Sequence, residues 1–156
     1  MEQLALGAET GTAELSVSDE LNIFSTMSDR WKSTQGFGNY TEWNTTETVK
    51  MDTIDSLIDK YSLPKFCKID VEGYEKNVLA GLHHKIPYIS FEFTSIFFDD
   101  AEECLSLLSE LGNTEYNVSF GESMQLNLNK WVTKEELIAY IRKNEGAWGD
   151  IYVHSK

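Results

Sequence analysis

The chain is poor in cysteine, proline and positive charge. It has two cysteines, two prolines, and 13 basic side chains against 26 acidic ones in 156 residues, a formal net charge of −13. Cys67 and Cys104 lie far apart and match no metal-ligand spacing, so both read as buried free thiols. A surface this acidic repels phosphate backbones and anionic headgroups, so neither nucleic acid nor a membrane is expected as a partner. No apolar run approaches the ~20 residues that span a bilayer. The segment Met1–Leu6 is short, is acidic at Glu2 and leads straight into Gly7, unlike a secretory leader, so a cytoplasmic location is expected.

What is present is ordinary for a globular domain: 41% hydrophobic and 25% charged residues. A chain of this length buries roughly two thirds of its unfolded surface, enough for one core, so residues 1–156 are expected to form a single domain. Leu4–Leu6 and Ala13–Val17 are short extended candidates around a turn at Gly7–Thr12. From Ser18 to Thr48 periodicity vanishes, which predicts a long loop. Ile54, Leu57, Ile58 and Tyr61 then recur at helical spacing, with Asp52 or Thr53 to cap the helix and Pro64 to stop it. Phe66–Val71 reads as a strand buried on both faces, Glu75–Leu82 as a helix, and Tyr88–Phe93 as a strand after Pro87. Asp99–Leu111 is the clearest helix, with acidic residues in its first turn and Gly112 at its end. Tyr116–Phe120 and Met124–Leu128 read as strands. Thr133 and Glu136 form a capping box ahead of Leu137, Ile138 and Ile141, and Ile151–His154 is a last strand. This alternation predicts an α/β fold with a largely parallel sheet.

The chemistry concentrates in Lys68-Ile69-Asp70-Val71-Glu72-Gly73-Tyr74-Glu75. A strand ends in two carboxylates, then a glycine, then a helix start; Glu92, in Ser90-Phe91-Glu92-Phe93, ends the next strand in the same manner. In open α/β sheets ligands bind outside the carboxyl ends of the strands. Three carboxylates there are costly to bury without partners, so they should face a wet or ligand-filled cleft. The plainer alternative is that Asp70 and Glu72 cap the following helix, whose N-terminal dipole favours anions.

The same residues, followed by Val78-Leu79-Ala80-Gly81, resemble the hallmark motif of the FkbM methyltransferase family. Val49–Leu57 is similar to the family's lead-in helix; Ser90–Phe93, Gly149–Tyr152, Leu6-Gly7 and Gly11–Leu15 are also family-like. The resemblance implies a Rossmann-like class I fold that uses S-adenosylmethionine to methylate a hydroxyl of a sugar, polyketide or similar small acceptor. It makes Asp70 and Glu92, then Glu72, the candidates for acceptor binding or general base.

In that fold the donor sits at a glycine-rich loop after the first strand, with an acidic residue after the second. The sequence shows neither, so no donor-binding residue is assigned. Gly36-Phe37-Gly38 follows no strand, lacks a third glycine and reads as loop chemistry. The resemblance places Leu4–Leu6 near the family's third strand, which implies that the first two strands are missing and that Phe66–Val71 lacks a neighbour on one side. An uncovered apolar strand invites association. The loop at 18–48 could cover it, or a partner could, giving a homo-oligomer through the sheet edge; a truncated, inactive reading frame is the expectation preferred here. Two rival readings stand beside catalysis. One is a non-catalytic fragment or interaction module using that edge. The other is a hard-cation site on Asp70, Glu72 and Glu92, but three ligands fall short of what such a cation takes, so no metal is expected.

Overall fold

Residues 2–17, 25–33 and 45–156 are described by the structure, a computed structural model. The chain clusters into two units, Met1–Lys60 with Val71–Leu82, and Tyr61–Asp70 with His83–Lys156.

In the first unit the strands β1 (Ala5–Leu6), β2 (Gly11–Val17), β3 (Ser25–Thr26) and β4 (Thr45–Asp52) form a sheet in the order β1-β4-β2-β3. β4 runs parallel to β1 and antiparallel to β2, in register from Gly11↔Met51 to Val17↔Thr45. Its Thr-Thr-Glu-Thr-Val-Lys-Met-Asp sequence is rich in β-branched residues, which suit a pleated surface. The long loop expected at 18–48 is therefore corrected: β3, the short helix α1 (Asp29–Lys32) and the first half of β4 all fall inside it. The strand leaves little pattern in the sequence because Val49 and Met51 are the only large apolar residues of β4, and much of it is exposed. The Gly36-Phe37-Gly38 segment lies outside the described residues.

Helix α2 (Ile54–Tyr61) starts later than the lead-in helix expected over Val49–Leu57, because Val49–Asp52 belong to β4. Of the two proposed caps Thr53 is the one used, and Asp52 steadies it. The Ser56 N–H donates to Thr53 Oγ1 at 3.1 Å, and the Thr53 N–H donates to Asp52 Oδ1 at 2.8 Å. Ile54 and Ile58 are buried, whereas Tyr61 is exposed. Helix α3 (Glu75–Ala80) buries Val78 and Leu79 as the spacing predicts.

The second unit holds β5 (Phe66–Ile69), β6 (Tyr88–Thr94), α4 (Phe98–Glu110), β7 (Thr114–Phe120), α5 (Lys134–Ile141) and β8 (Trp148–Ser155). Its sheet order is β5-β6-β8-β7. Only β5 and β6 are parallel; β8 runs antiparallel to both β6 and β7. The protein is thus a mixed α/β fold whose two sheets have mixed strand orientation, in place of the largely parallel sheet expected. Strand direction leaves no mark on hydrophobic periodicity, so alternating elements could not reveal that β8 inserts between β6 and β7.

α4 packs on β6 and α5 on β7. Ile89 and Phe91 of β6, Leu105 of α4, Leu137 of α5 and Ile151 and Val153 of β8 are almost wholly buried. Each fully buried side chain of this size contributes about 1.5–3 kcal/mol. The Thr133 capping box forms as read: its Oγ1 accepts the Glu136 N–H, and Glu136 Oε2 accepts the Thr133 N–H.

Three expectations for this unit are corrected. Strand β5, read as buried on both faces, pairs among the described residues with β6 alone, and Phe66 and Lys68 are exposed. Cys67 is accordingly half-buried, while Cys104 is buried as expected. Met124–Leu128 is not a strand, and Met124 is 74% exposed. That segment is held by the buried Asn117, whose Nδ2 donates to the Leu128 carbonyl at 2.9 Å and whose Oδ1 accepts the Leu128 N–H at 3.1 Å. The side chain supplies what a partner strand would have supplied.

Candidate functional site

The register of the second sheet aligns polar residues in two rows on one face. Opposite residues on paired strands share a face, as do residues two apart along a strand. Lys68 lies opposite Ser90, Ser90 opposite Tyr152, and Tyr152 opposite Asn117. One step toward the carboxyl ends of β5 and β6, Glu92 lies opposite Asp150, and Asp150 opposite Ser119. Asp70 directly follows β5 and takes the place beside Glu92. The alternate face carries Ile89, Phe91 and Phe93, the apolar residues that form the core.

Two of the three sequence-predicted site residues meet in this unit. A carboxylate oxygen of Asp70 lies within 4.8 Å of one from Glu92. Asp70 is exposed and Glu92 half-buried. Lys68 Nζ reaches Asp70 Oδ2 at 3.3 Å and Asp150 Oδ1 at 2.5 Å, spanning from the edge strand across β6 to β8. Partial burial acts to lower the Lys68 pKa, but the hydrogen bond and charge of Asp150, joined by those of Asp70, outweigh it and shift the ammonium upward. Burial alone pushes the neighbouring Cys67 thiol up, which makes it a poor nucleophile.

Glu72, the third candidate, belongs to the first unit. Its backbone is left-handed, with φ of 51°, and Gly73 follows at 85°. Such a conformation is costly for a residue with a Cβ and persists where surroundings hold it. Here the Glu72 carbonyl accepts a hydrogen bond from Thr26 Oγ1 at 2.7 Å. A Cβ at Gly73 would stand 3.0 Å from the Trp31 ring, so an indole occupies the space over this turn.

The helix-capping alternative for Asp70 and Glu72 is answered by a third carboxylate. α3 begins after Tyr74, whose side chain makes no capping bond. The buried Glu75 instead accepts the N–H groups of Val71 and Gly73 through Oε1, at 3.1 and 3.3 Å. Glu75 therefore closes the turn, and Asp70 turns to Lys68.

Sequence reasoning assigned no role to Lys68, Ser90 or Asp150. Lys68 and Ser90 stood within quoted motifs, and Asp150 in the Gly149–Tyr152 stretch, but only the register brings them into neighbouring places. Ser90 is 1% exposed, and its Oγ has no hydrogen-bond partner among the described residues. An orphaned buried hydroxyl costs about 1–3 kcal/mol, so its position calls for an explanation.

The arrangement defines a class: an α/β protein that sets one carboxylate just past a strand and another near the carboxyl end of the parallel strand beside it, the side on which open α/β sheets bind ligands. The model of the Methyltransferase FkbM domain family matches residues 1–120. The chain belongs to the FkbM methyltransferase family. No curated protein and no solved structure matches it. The matched span contains Asp70, Glu72 and Glu92 and ends at the last residue of β7, ahead of α5 and β8.

Proposed function

We propose that the protein takes part in methyl transfer from S-adenosylmethionine to a hydroxyl oxygen of a sugar, polyketide or other small acceptor, with Asp70 and Glu92 on the acceptor side. Family membership supports the reaction class, and the adjacency of these carboxylates, just past β5 and near the end of β6, is the observation that carries the residue assignment. An acceptor hydroxyl donates well to a carboxylate, and two acceptors close together orient it. As the oxygen is methylated it gives up its proton, and a carboxylate within hydrogen-bond reach can accept it. Asp70 and Glu92 are thus the candidates for placing the oxygen or taking its proton, and Glu72 is the next candidate.

The donor's fit is a separate matter. Among the described residues the one strand-to-helix turn at a parallel strand end with a glycine is Val71–Tyr74, and Trp31 fills the space over Gly73. That turn does not suit a donor cradle.

Calorimetric titration of the purified chain with S-adenosylmethionine and with its demethylated product tests the reading. Saturable binding supports catalysis by this chain and directs the search to acceptors. A well-folded chain that binds neither rules out catalysis by the chain alone. A second reading, an interaction module that pairs through the edge of β5 and forms homo-oligomers, rests on the one-sided pairing of that strand among the described residues and the exposure of Phe66. Light scattering that shows a concentration-dependent dimer, abolished by Phe66→Lys, would favour it.

A further inference from the structure

We infer that the polar face of the second sheet holds a hard divalent cation, with Asp70 and Glu92 as its protein ligands and Ser90 supporting it from beneath. The inference is independent of methyl transfer and revises the expectation that no metal is bound. Two observations carry it. The first is the approach of the Asp70 and Glu92 carboxylates to within 4.8 Å, beside Asp150 in the next strand. Opposite ligands on a Ca²⁺ are about 5 Å apart and on a Mg²⁺ about 4 Å, so one ion can bridge the pair with small side-chain adjustments.

The second observation is the Ser90 hydroxyl, buried to 1% exposure and without a partner. Ser90 and Glu92 are two residues apart on β6, so Ser90 projects from the same face, one row below the carboxylates. A cation that keeps several waters, as Mg²⁺ does, gives this hydroxyl a water to bond, which the protein otherwise does not. Lys68 already sets a positive charge against Asp70 and Asp150. The face is therefore built to hold positive charge, and Lys68 competes with the ion for Asp70.

The test uses the full chain with Mn²⁺, Mg²⁺ and Ca²⁺ as chlorides and potassium chloride at matched ionic strength. Binding of Mn²⁺ to the unaltered protein is read directly, by loss of the free-ion electron paramagnetic resonance signal. Saturable uptake of one ion per chain is expected. A hundredfold excess over Kd should raise the melting midpoint by about 5–10 °C more than potassium chloride does. Asp70→Asn and Glu92→Gln should each weaken binding at least about tenfold, the loss expected when one of two charged ligands is removed. Ser90→Ala should weaken it a few-fold, and Lys68→Met should tighten it. The exposed control Glu122→Gln should change nothing. Absence of Mn²⁺ uptake by the unaltered chain at millimolar metal overturns the inference. So does a midpoint shift that potassium chloride reproduces, or uptake that Asp70→Asn and Glu92→Gln leave unchanged, since either marks diffuse screening of an acidic surface.

Discussion

Lys68 and Asp150 stand 82 positions apart in the chain and meet at 2.5 Å across an intervening strand. The same ammonium touches Asp70, so one cation ties strand β5 to strand β8 in the interior of the sheet. Lys68 is about half exposed, and solvent screening keeps the pair modest. A double-mutant cycle of Lys68→Met and Asp150→Asn, followed by urea unfolding at neutral pH, should give a coupling of about 0.5–1 kcal/mol. The folded-state pKa of Lys68 lies above its ordinary value. Its stabilising share is therefore complete below the unfolded pKa near 10.4 and lost as pH rises through the folded one. Independent, additive effects of the two substitutions would show that the contact carries no energy.

Glu75 is the carboxylate whose removal should matter most for stability. It is buried and closes the turn between β5 and α3 by accepting two backbone N–H groups. Glu75→Ala leaves both donors orphaned and should cost about 2–3 kcal/mol, whereas Glu75→Gln keeps an accepting oxygen and should cost less. Denaturant midpoints of the two variants provide the comparison, and equal losses would contradict the hydrogen-bond account.

Gly149 allows β8 to run close beside β7. Its φ is 145°, and an added Cβ would stand 2.1 Å from the Ser119 carbonyl oxygen, a backbone atom with little room to yield. Gly149→Ala should lower stability by about 3 kcal/mol or more, through both strain and collision. A melting temperature within 2 °C of the unaltered chain, allowing about 2–4 °C per kcal/mol at this size, would show that the strands separate more easily than their pairing suggests.

Glu115 offers a test at acid pH. Its carboxylate meets Lys156 Nζ at 2.6 Å and His154 Nδ1 at 2.9 Å. The hydrogen bond from Lys156, then that from His154, hold its pKa below the usual carboxylate range. A lowered folded pKa means that the stabilisation is present above the unfolded value, about 4.3, and is lost as pH falls through the folded one. The difference in melting temperature between the unaltered chain and Glu115→Gln should hold steady above about pH 5 and shrink below about pH 4. A difference that grows on acidification would reverse the sign of this linkage.

The legible parts of the fold were those written in local pattern. The helical spacing of Ile54 and Ile58, the acidic first turn before Ala101 and Cys104, and the Thr133–Glu136 capping box each mark an element through contacts within a few residues. β4 was missed because its polar, exposed positions carry little hydrophobic signal, and Met124–Leu128 was misread because its alternation resembles a strand although a single buried asparagine holds it. At the site, the run ending in Asp70 marks a carboxylate just past a strand, whereas Glu92, read as ending its strand, stands two residues inside β6, which runs on to Thr94.

By itself, the sequence determined the family, the acidic surface, most helices and the three candidate carboxylates, because these depend on residue type and short-range spacing. Tertiary structure alone decided that β5 is an edge, that β8 lies antiparallel between β6 and β7, and that Lys68, Ser90 and Asp150 share a face with Asp70 and Glu92. The reason is physical: strand direction and register come from pairing between residues far apart in the chain, and a shift of one residue would turn every one of these side chains to the opposite face.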